Sequence, residues 1–116
     1  MPSKPMSLMY VTFDSEADAL RVARAVIQAR LAACANLRAA GLSLYEWEGE
    51  IQESREWVLL LKTASSRVDA LQAAVLDLHP YTTPCVIHWQ MDGGHPDFVD
   101  WVRMMSTPEE DSATTV

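Results

Sequence analysis

Three segments of this 116-residue chain are apolar on both of the faces that a β-strand presents. Successive side chains of a strand point to opposite faces, so a sheet with one face in water shows apolar and polar residues in alternation. The three segments lack this alternation, and the sheet that they form is therefore expected to bury both of its faces. They are SLMYVTF (7–13), EWVLLLK (56–62) and CVIHWQM (85–91).

Three other stretches have the three-to-four-residue spacing of apolar side chains that is typical of amphipathic helices. Two of them open with a Ser-x-x-Asp pattern, at Ser15 and Ser66, in which the serine hydroxyl can accept a hydrogen bond from a free backbone N–H. Pro80 and Pro84 end the second helix, and Pro96 suits the first position of the third. The expected buried stripes are Leu20, Ala23, Ile27 and Leu31; Val68, Leu71, Val75 and Leu78; and Phe98, Trp101, Val102 and Met105.

Between the first two helices, from Ala33 to Lys62, the sequence has no helical period and predicts one long β-hairpin with its turn at Gly49. The predicted order is β-α-β-β-α-β and a terminal helix, in a single domain at residues 1–106 with a flexible acidic tail at 107–116. Right-handed crossovers place both main helices on one face of a four-stranded antiparallel sheet. This is the ferredoxin-like arrangement of the α+β class.

The face of the sheet without helices needs a cover, and another copy of the same chain is the simplest one. The hairpin is also longer than a four-stranded sheet requires, so its end is expected to project and pair with the edge of a neighbour. The sequence therefore predicts a homo-oligomer.

Charge and cysteine content exclude several classes of partner and compartment. The net charge is −7, and the nine Lys and Arg residues are never adjacent, which disfavours nucleic acid. A run of roughly 18 apolar residues is absent, so we expect no membrane span. Cys34 and Cys85 form no CxxC pair, and MPSKPMSLMY lacks a signal-peptide core, which together predict a cytoplasmic protein.

Metal-ligating residues are concentrated in LHPYTTPCVIHWQ (78–90). Cys85 and His88 are three apart on a predicted strand, so they point to opposite faces and cannot chelate one ion together. His79 precedes Pro80 in a loop. It is predicted either to bind a metal or to order the loop by a hydrogen bond to the backbone, while Cys85 is predicted as a small core residue.

Aromatic and acidic residues mark the hairpin. Tyr45, Trp47 and Trp57 are either cross-strand pairs or an aromatic wall beside Lys62 that shapes a pocket at a subunit boundary. Four glutamates at the hairpin tip indicate a solvated tip or a bridged divalent cation: Glu46, Glu48, Glu50 and Glu53.

Signatures of catalysis are absent from the sequence. It contains no G-x-S-x-G, P-loop, H-E-x-x-H or paired-cysteine zinc motif, so we predict that the protein is not an enzyme.

Five motifs, in order and spacing, resemble the CutA family of divalent-cation-tolerance proteins over residues 11–102. The resemblance implies a ferredoxin-like subunit in a compact homotrimer, with a function in tolerance of divalent metals and reported binding of Cu(II). It also implies similarity to the PII signalling proteins in fold and assembly. The motifs are RLAACAN (30–36), SLYEWEGEI (43–51), LLLKT (59–63), LHPYTTP (78–84) and HPDFVDWV (95–102).

The suspected family site is a cleft between subunits. Carried over to this chain, the resemblance implies His79 as a metal ligand and Trp47, Lys62, Tyr81 and Cys34 as ligand-binding residues. Two hypotheses follow: a homotrimer that binds Cu(II) or another divalent cation, or a PII-like regulatory trimer that binds a small anionic molecule or a protein partner. Neither needs an organic cofactor. The chain departs from the family pattern at Asp14, where proline is frequent, and at Cys85, where glutamate is frequent.

Overall fold

The computed structural model describes residues 4–108. The predicted order of strands and helices is confirmed, while the predicted acidic tail at 107–116 lies almost wholly outside the described residues. Within the described part, none of the helices is both long and apolar enough to span a bilayer. The elements are β1 (Met6–Phe13), α1 (Glu16–Gln28), β2 (Cys34–Trp47), β3 (Glu50–Ala64), a 3₁₀ turn (Ser65–Arg67), α2 (Val68–Leu78), β4 (Val86–Gln90) and α3 (Pro96–Met105).

The four strands form one antiparallel sheet in the order β2-β3-β1-β4. Strand β1 is central: it pairs with β3 from Met6 opposite Ala64 to Phe13 opposite Trp57, and with β4 on its other side. The chain passes from β1 to β2 through α1 and from β3 to β4 through α2, as in the ferredoxin-like arrangement. The predicted α+β fold class is therefore confirmed.

The main core lies between this sheet and helices α1 and α2. Met9, Val11 and Phe13 of β1 and Leu59 and Leu61 of β3 are completely buried, and they all point to the same face because they are spaced by two. We call this the helix-covered face. The helices contribute Ala19, Val22, Ala23, Val26, Val68, Leu71 and Val75 to the same cluster.

The buried stripe of α1 differs from the prediction. Ala19, Val22, Ala23 and Val26 face the sheet, whereas Ile27 is exposed and Leu31 lies beyond the end of the helix. Of the predicted stripe, Ala23 alone is a buried helical residue. The helix is turned toward its small side chains, and alanines at a contact let a helix approach a flat sheet more closely than leucines do.

The two predicted helix starts have different outcomes. Ser15 caps α1, because its hydroxyl oxygen accepts a hydrogen bond from the backbone N–H of Asp18 at 3.2 Å. Ser66 does not cap α2, which begins at Val68 after the 3₁₀ turn and has no side-chain cap. The prediction for Ser66 was wrong because the turn supplies the first backbone hydrogen bond of the segment instead.

Helix α3 packs against the opposite side of the sheet, which we call the second face. Lys62 points to this face because its neighbour Leu61 is in the main core, and its Nζ lies 5.9 Å from the centre of the Phe98 ring. Val102 is buried, but Phe98 and Trp101 remain exposed and stack on each other. The predicted stripe on α3 is therefore only partly buried within one chain.

The rest of the second face is apolar and open. Ile87 pairs with Tyr10, and Trp89 pairs with Leu8, so all four side chains share this face. Ile87 is 55% exposed and Trp89 is 42% exposed. These four side chains confirm the prediction that the sheet is apolar on both faces. Part of the second face is left uncovered by a single chain.

The hairpin extends well beyond the sheet. Residues 41–56 of β2 and β3 pair only with each other, since β1 ends opposite Trp57, and we call this two-stranded segment the ribbon. It gives the molecule a length of 57 Å against widths of 29 and 21 Å. The turn consists of Glu48 and Gly49, whose φ angles of 52° and 83° are those of a two-residue type I′ turn.

We predict that Ser15→Ala lowers the free energy of unfolding by about 1 kcal/mol, because it removes the hydroxyl that caps α1. Ser66→Ala is the matched control and is expected to leave stability unchanged. Urea denaturation at one fixed protein concentration measures both. An equal loss in the two variants would contradict the difference between the two helix starts.

Candidate functional site

A cavity of about 790 Å³ lies on the second face, between the ribbon and the loop that follows α2. Its floor is formed by Tyr10 and Thr12 of β1, and its far side by Tyr45 and Trp47 of β2. The remaining lining residues are Asp14, Ser43, Leu44, Gln52, Ser54, Glu56, Tyr81, Thr83 and Cys85.

A bulge in β2 places the ribbon beside this cavity. The register of β2 against β3 shifts between Ala39 and Gly41, and Gly41 has a φ of 85°, a conformation that costs glycine little. A bulge bends a strand and increases its twist. After the shift, Ser43, Tyr45 and Trp47 are spaced by two and line the same side, which is the side of the cavity.

His79 is buried next to the cavity and both of its ring nitrogens are hydrogen-bonded. Its Nε2–H donates to the carbonyl oxygen of Thr12 at 2.7 Å, and its Nδ1 accepts from the backbone N–H of Tyr81 at 3.1 Å. The imidazole ring also stacks on the ring of Phe13, with 4.3 Å between the two ring centres. Metal ligation would require one of these two hydrogen bonds to break, so the role of His79 as a ligand stays a prediction.

Tyr81 contacts this buried histidine and also lines the cavity. Its ring contacts that of His79 edge-on at 4.7 Å. Burial is the largest of the causes that raise the pKa of Tyr81 to about 12, and the negative charges of Asp14 and Glu56 come next. A hydrogen bond to the backbone of Asp14 lowers this pKa by a smaller amount. The phenol therefore stays neutral in the physiological range, with two carboxylates close enough to affect its ionisation.

Lys62 and Cys34 form a separate group on the second face. They lie opposite each other in the β2–β3 pair, and Lys62 Nζ donates to Asn36 Oδ1 at 2.6 Å. Burial raises the pKa of the Cys34 thiol, and the charge of Lys62 partly offsets this effect. Neither Lys62 nor Cys34 lines the cavity.

The predicted ligand-binding residues thus fall into two groups. Trp47 and Tyr81 share the cavity, while Lys62 and Cys34 lie together elsewhere on the same face. The predicted aromatic wall consists of Tyr45 and Trp47, which pair with Gln52 and Glu50 and not with each other. Trp57 instead packs against the main core.

Two acidic residues and one cysteine of the cavity were not predicted as site residues: Asp14, Glu56 and Cys85. Cys85 was expected in the core, but it is exposed and precedes β4, which begins at Val86. Cys85 is two residues before Ile87, so it lies on the side of the second face, which one chain leaves partly open, and not on the side of the main core. Asp14 and Cys85 are both departures from the family pattern, and this was the signal in the sequence that could have found them.

The described residues of one chain do not form a complete metal site. Among residues 4–108, no three or more His, Cys, Asp and Glu side chains are arranged to hold a metal ion. Asp14, Glu56 and Cys85 are suitable donors by type, but within one chain they do not fit a closed coordination sphere.

Comparison with known proteins identifies the family. The family model described as CutA1 divalent ion tolerance protein matches residues 7–105. The chain belongs to this family. The family is named for divalent ion tolerance, and the resemblance found in the sequence is confirmed.

Curated relatives of this CutA family chain come from distant organisms. Protein CutA of Mus musculus is 39% identical over 111 residues, which cover 96% of this chain and 63% of the mouse protein. The divalent-cation tolerance protein CutA of Thermus thermophilus is 36% identical, over 83% of this chain and 93% of that protein. The chain therefore spans less than two thirds of the mouse relative and nearly all of the bacterial one.

Solved structures of the CutA family share the fold. The divalent ion tolerance protein CutA1 of Ehrlichia chaffeensis superposes with a TM-score of 0.86 at 31% identity, covering 91% of this chain and 99% of that one. The divalent cation tolerance protein of Thermus thermophilus gives a TM-score of 0.83 at 34% identity, covering 88% and 99%.

We predict that Tyr81→Phe removes a phenol that titrates near pH 12. The difference in tyrosinate absorbance between wild type and this variant is expected to rise about two pH units above the ordinary tyrosine range near 10. In the unfolded chain the tyrosine has its ordinary pKa of 10, so it loses its proton at a lower pH than in the folded chain. The contribution of Tyr81 to the free energy of unfolding is therefore present below pH 10 and is lost between pH 10 and 12. If the absorbance difference titrates near pH 10 while circular dichroism shows a folded chain, the result would contradict the position of the Tyr81 phenol beside Asp14 and Glu56.

Proposed function

We propose that this protein acts in divalent cation tolerance as a homotrimer that binds Cu(II) or another divalent cation at or near clefts between its subunits. Its action would be to bind the ion and not to catalyse a reaction. The observation that carries the proposal is the second face, where an uncovered apolar surface adjoins a cavity lined by Asp14, Glu56 and Cys85.

The apolar part of this face supports assembly. Exposed large side chains that form a continuous surface are a common mark of protein interfaces, whereas scattered ones are not. Ile87 and Trp89 are neighbours of Leu8 and Tyr10 on the same face, and the ribbon adds the exposed side chains of Tyr45 and Trp47 on its cavity side. A second and a third copy of the chain are the cover that we propose.

The charge of the cavity supports a cation as the ligand. The described residues that line it include two carboxylic acids and a free thiol, and no Lys, Arg or His is among them. Carboxylate oxygens and thiolates are ligands of divalent cations. Because one chain lacks a complete donor set within its described residues, we propose that donors from adjacent subunits complete the site, with His79 as the further ligand predicted from sequence.

The alternative hypothesis, a PII-like trimer with a small anionic ligand, has less support. It would place Lys62 beside Trp47 and Tyr81, but Lys62 is bonded to Asn36 and is not part of the cavity lining. Two carboxylates in the cavity repel an anion. For the compartment, we propose the cytoplasm, which is consistent with two free cysteines.

We predict that wild-type protein sediments with three times the chain mass of 12.9 kDa and that Ile87→Glu shifts it toward the monomer. The substitution places a charge in the proposed interface, where an unpaired carboxylate costs several kcal/mol. The control is Leu76→Glu on α2, because Leu76 is 46% exposed but lies on a helix of the other face. Sedimentation velocity at micromolar concentration measures all three, and a folded wild-type monomer would contradict the trimer.

We predict that Cu(II) binds saturably in isothermal titration calorimetry and is released by a chelator. Asp14→Asn and Cys85→Ser are each expected to weaken binding about tenfold or more, a loss of about 1.4 kcal/mol, because each replaces an anionic donor by a weaker, neutral one. Asp77→Asn on the exposed side of α2 makes the same chemical change outside the cavity and should leave binding unchanged.

His79→Gln tests the predicted ligand separately, since an amide N–H can still donate to Thr12 while the imidazole is lost. Weaker binding in this variant would support His79 as a ligand. Unchanged affinity and stoichiometry would remove His79 from the site, and unchanged affinity in all three variants would contradict cation binding there.

A further inference from the structure

The cavity has more aromatic surface than a metal site uses. Tyr10, Tyr45, Trp47 and Tyr81 all line it. Trp47 is 64% exposed and Tyr45 is 48% exposed, so neither of them is held there by burial in the core of its own chain. The faces of aromatic rings supply no donor atom to a metal ion, but they carry negative partial charge and attract cations.

The two carboxylates beside these rings have no cationic partner within residues 4–108. The ion pairs of that part of the chain are Lys4 with Asp92 and Arg21 with Asp18, and neither includes Asp14 or Glu56. Phe13 pairs with Trp57 in antiparallel register, so Asp14 and Glu56, the next residues beyond this pair, lie beside each other at one end of the cavity. Since no basic residue is among those of residues 4–108 that line the cavity, the missing complement is a positive charge.

The size of the cavity argues for a molecule and not for an ion alone. Its volume of about 790 Å³ is within the range of small-molecule sites, roughly 300–1,000 Å³. A divalent ion and its ligands occupy a sphere with donor distances of about 2 Å, which leaves most of this space and all of the ring faces unused. A ligand with both a positive charge and apolar bulk would use the carboxylates and the rings together.

We propose that this cavity binds a small organic cation, a protonated or quaternary amine, with its charge between Asp14 and Glu56 and its carbon skeleton against Tyr45 and Trp47. Tyr81 contributes a neutral hydroxyl at the same end as the carboxylates. This activity goes beyond the binding of divalent cations, because it relies on aromatic walls that a metal does not need. In a trimer the ligand lies at the seam between subunits, where the alternative occupant is a basic side chain of a neighbouring copy.

The test uses the intact protein and two probes of matched shape. Piperidinium carries a charge at neutral pH, and tetrahydropyran is its uncharged ring analogue. We expect saturable binding of piperidinium in calorimetry and in saturation-transfer difference NMR, with little or no binding of tetrahydropyran at the same concentration. Sodium chloride at equal ionic strength controls for screening of the carboxylates.

Variants then assign the site. Trp47→Leu is expected to weaken piperidinium binding about fivefold through loss of the cation–π contact. Asp14→Asn and Glu56→Gln are expected to weaken it by a similar or larger factor, and Trp101→Leu, which changes an exposed tryptophan outside the cavity, is expected to have no effect. The three cavity positions are exposed or partly exposed, so the variants should fold, and circular dichroism checks this.

Equal binding of piperidinium and tetrahydropyran would overturn the proposal, and so would the absence of binding of both. Absence of binding is also the result expected if a neighbouring copy fills the cavity. Piperidinium binding that all three cavity variants leave unchanged would overturn it as well. The Cu(II) titration is independent of these results. Piperidinium binding without Cu(II) binding would support this site and contradict the proposed function, and the reverse result would support the proposed function alone.

Discussion

The structure depends on a sheet that has two apolar faces, of which helices α1 and α2 cover one and helix α3 covers only part of the other. Residues at every second position of β1 and β3 close the main core with α1 and α2. The alternate positions carry Leu8, Tyr10 and Leu60 on the second face, which α3 covers only in part. Burial of a large apolar side chain is worth about 1.5–3 kcal/mol, so leaving Ile87 and Trp89 exposed forgoes a substantial share of the stability of a small domain.

The same uncovered face carries the cavity, which explains why the candidate site and the proposed interface coincide. The ribbon stands beside the face because the bulge at Gly41 bends β2, and the loop after α2 closes the other side because His79 ties it to β1. Aromatic and acidic side chains from separate segments of the chain therefore meet over a floor of rigid strands. A site built in this way has defined walls before any ligand or neighbour arrives.

The sequence predicted the elements better than the positions of individual side chains. Strand order, the turn at Gly49 and the cap at Ser15 follow from local patterns, and each of them is present. The side of α1 that faces the sheet was not predictable from the apolar spacing of the helix alone. Two overlapping sets of apolar residues have helical spacing, and which set is buried depends on how closely the helix approaches the sheet.

The site was predicted in part for a similar reason. Trp47 and Tyr81 are far apart in sequence; the resemblance to the family named both as ligand-binding residues, and both line the cavity, while their role in binding stays a prediction. The same resemblance placed Lys62 with them, whereas the structure places it with Asn36 and Cys34. Asp14, Glu56 and Cys85 were missed because cavity lining depends on the bend of the ribbon, and neither charge nor spacing along the chain reports that bend.

The ribbon also bears on the order in which the chain folds. Partners across it are close in sequence, from Trp47 with Glu50 outward to Gly41 with Glu56, so the entropy lost in closing each loop is small. Pairing of β1 with β3 instead joins residues such as Phe13 and Trp57, and the chain between them must first be closed at a larger entropic cost. Hairpins form in about 1–10 microseconds, so the outermost part of the molecule is the part whose strands are able to pair first.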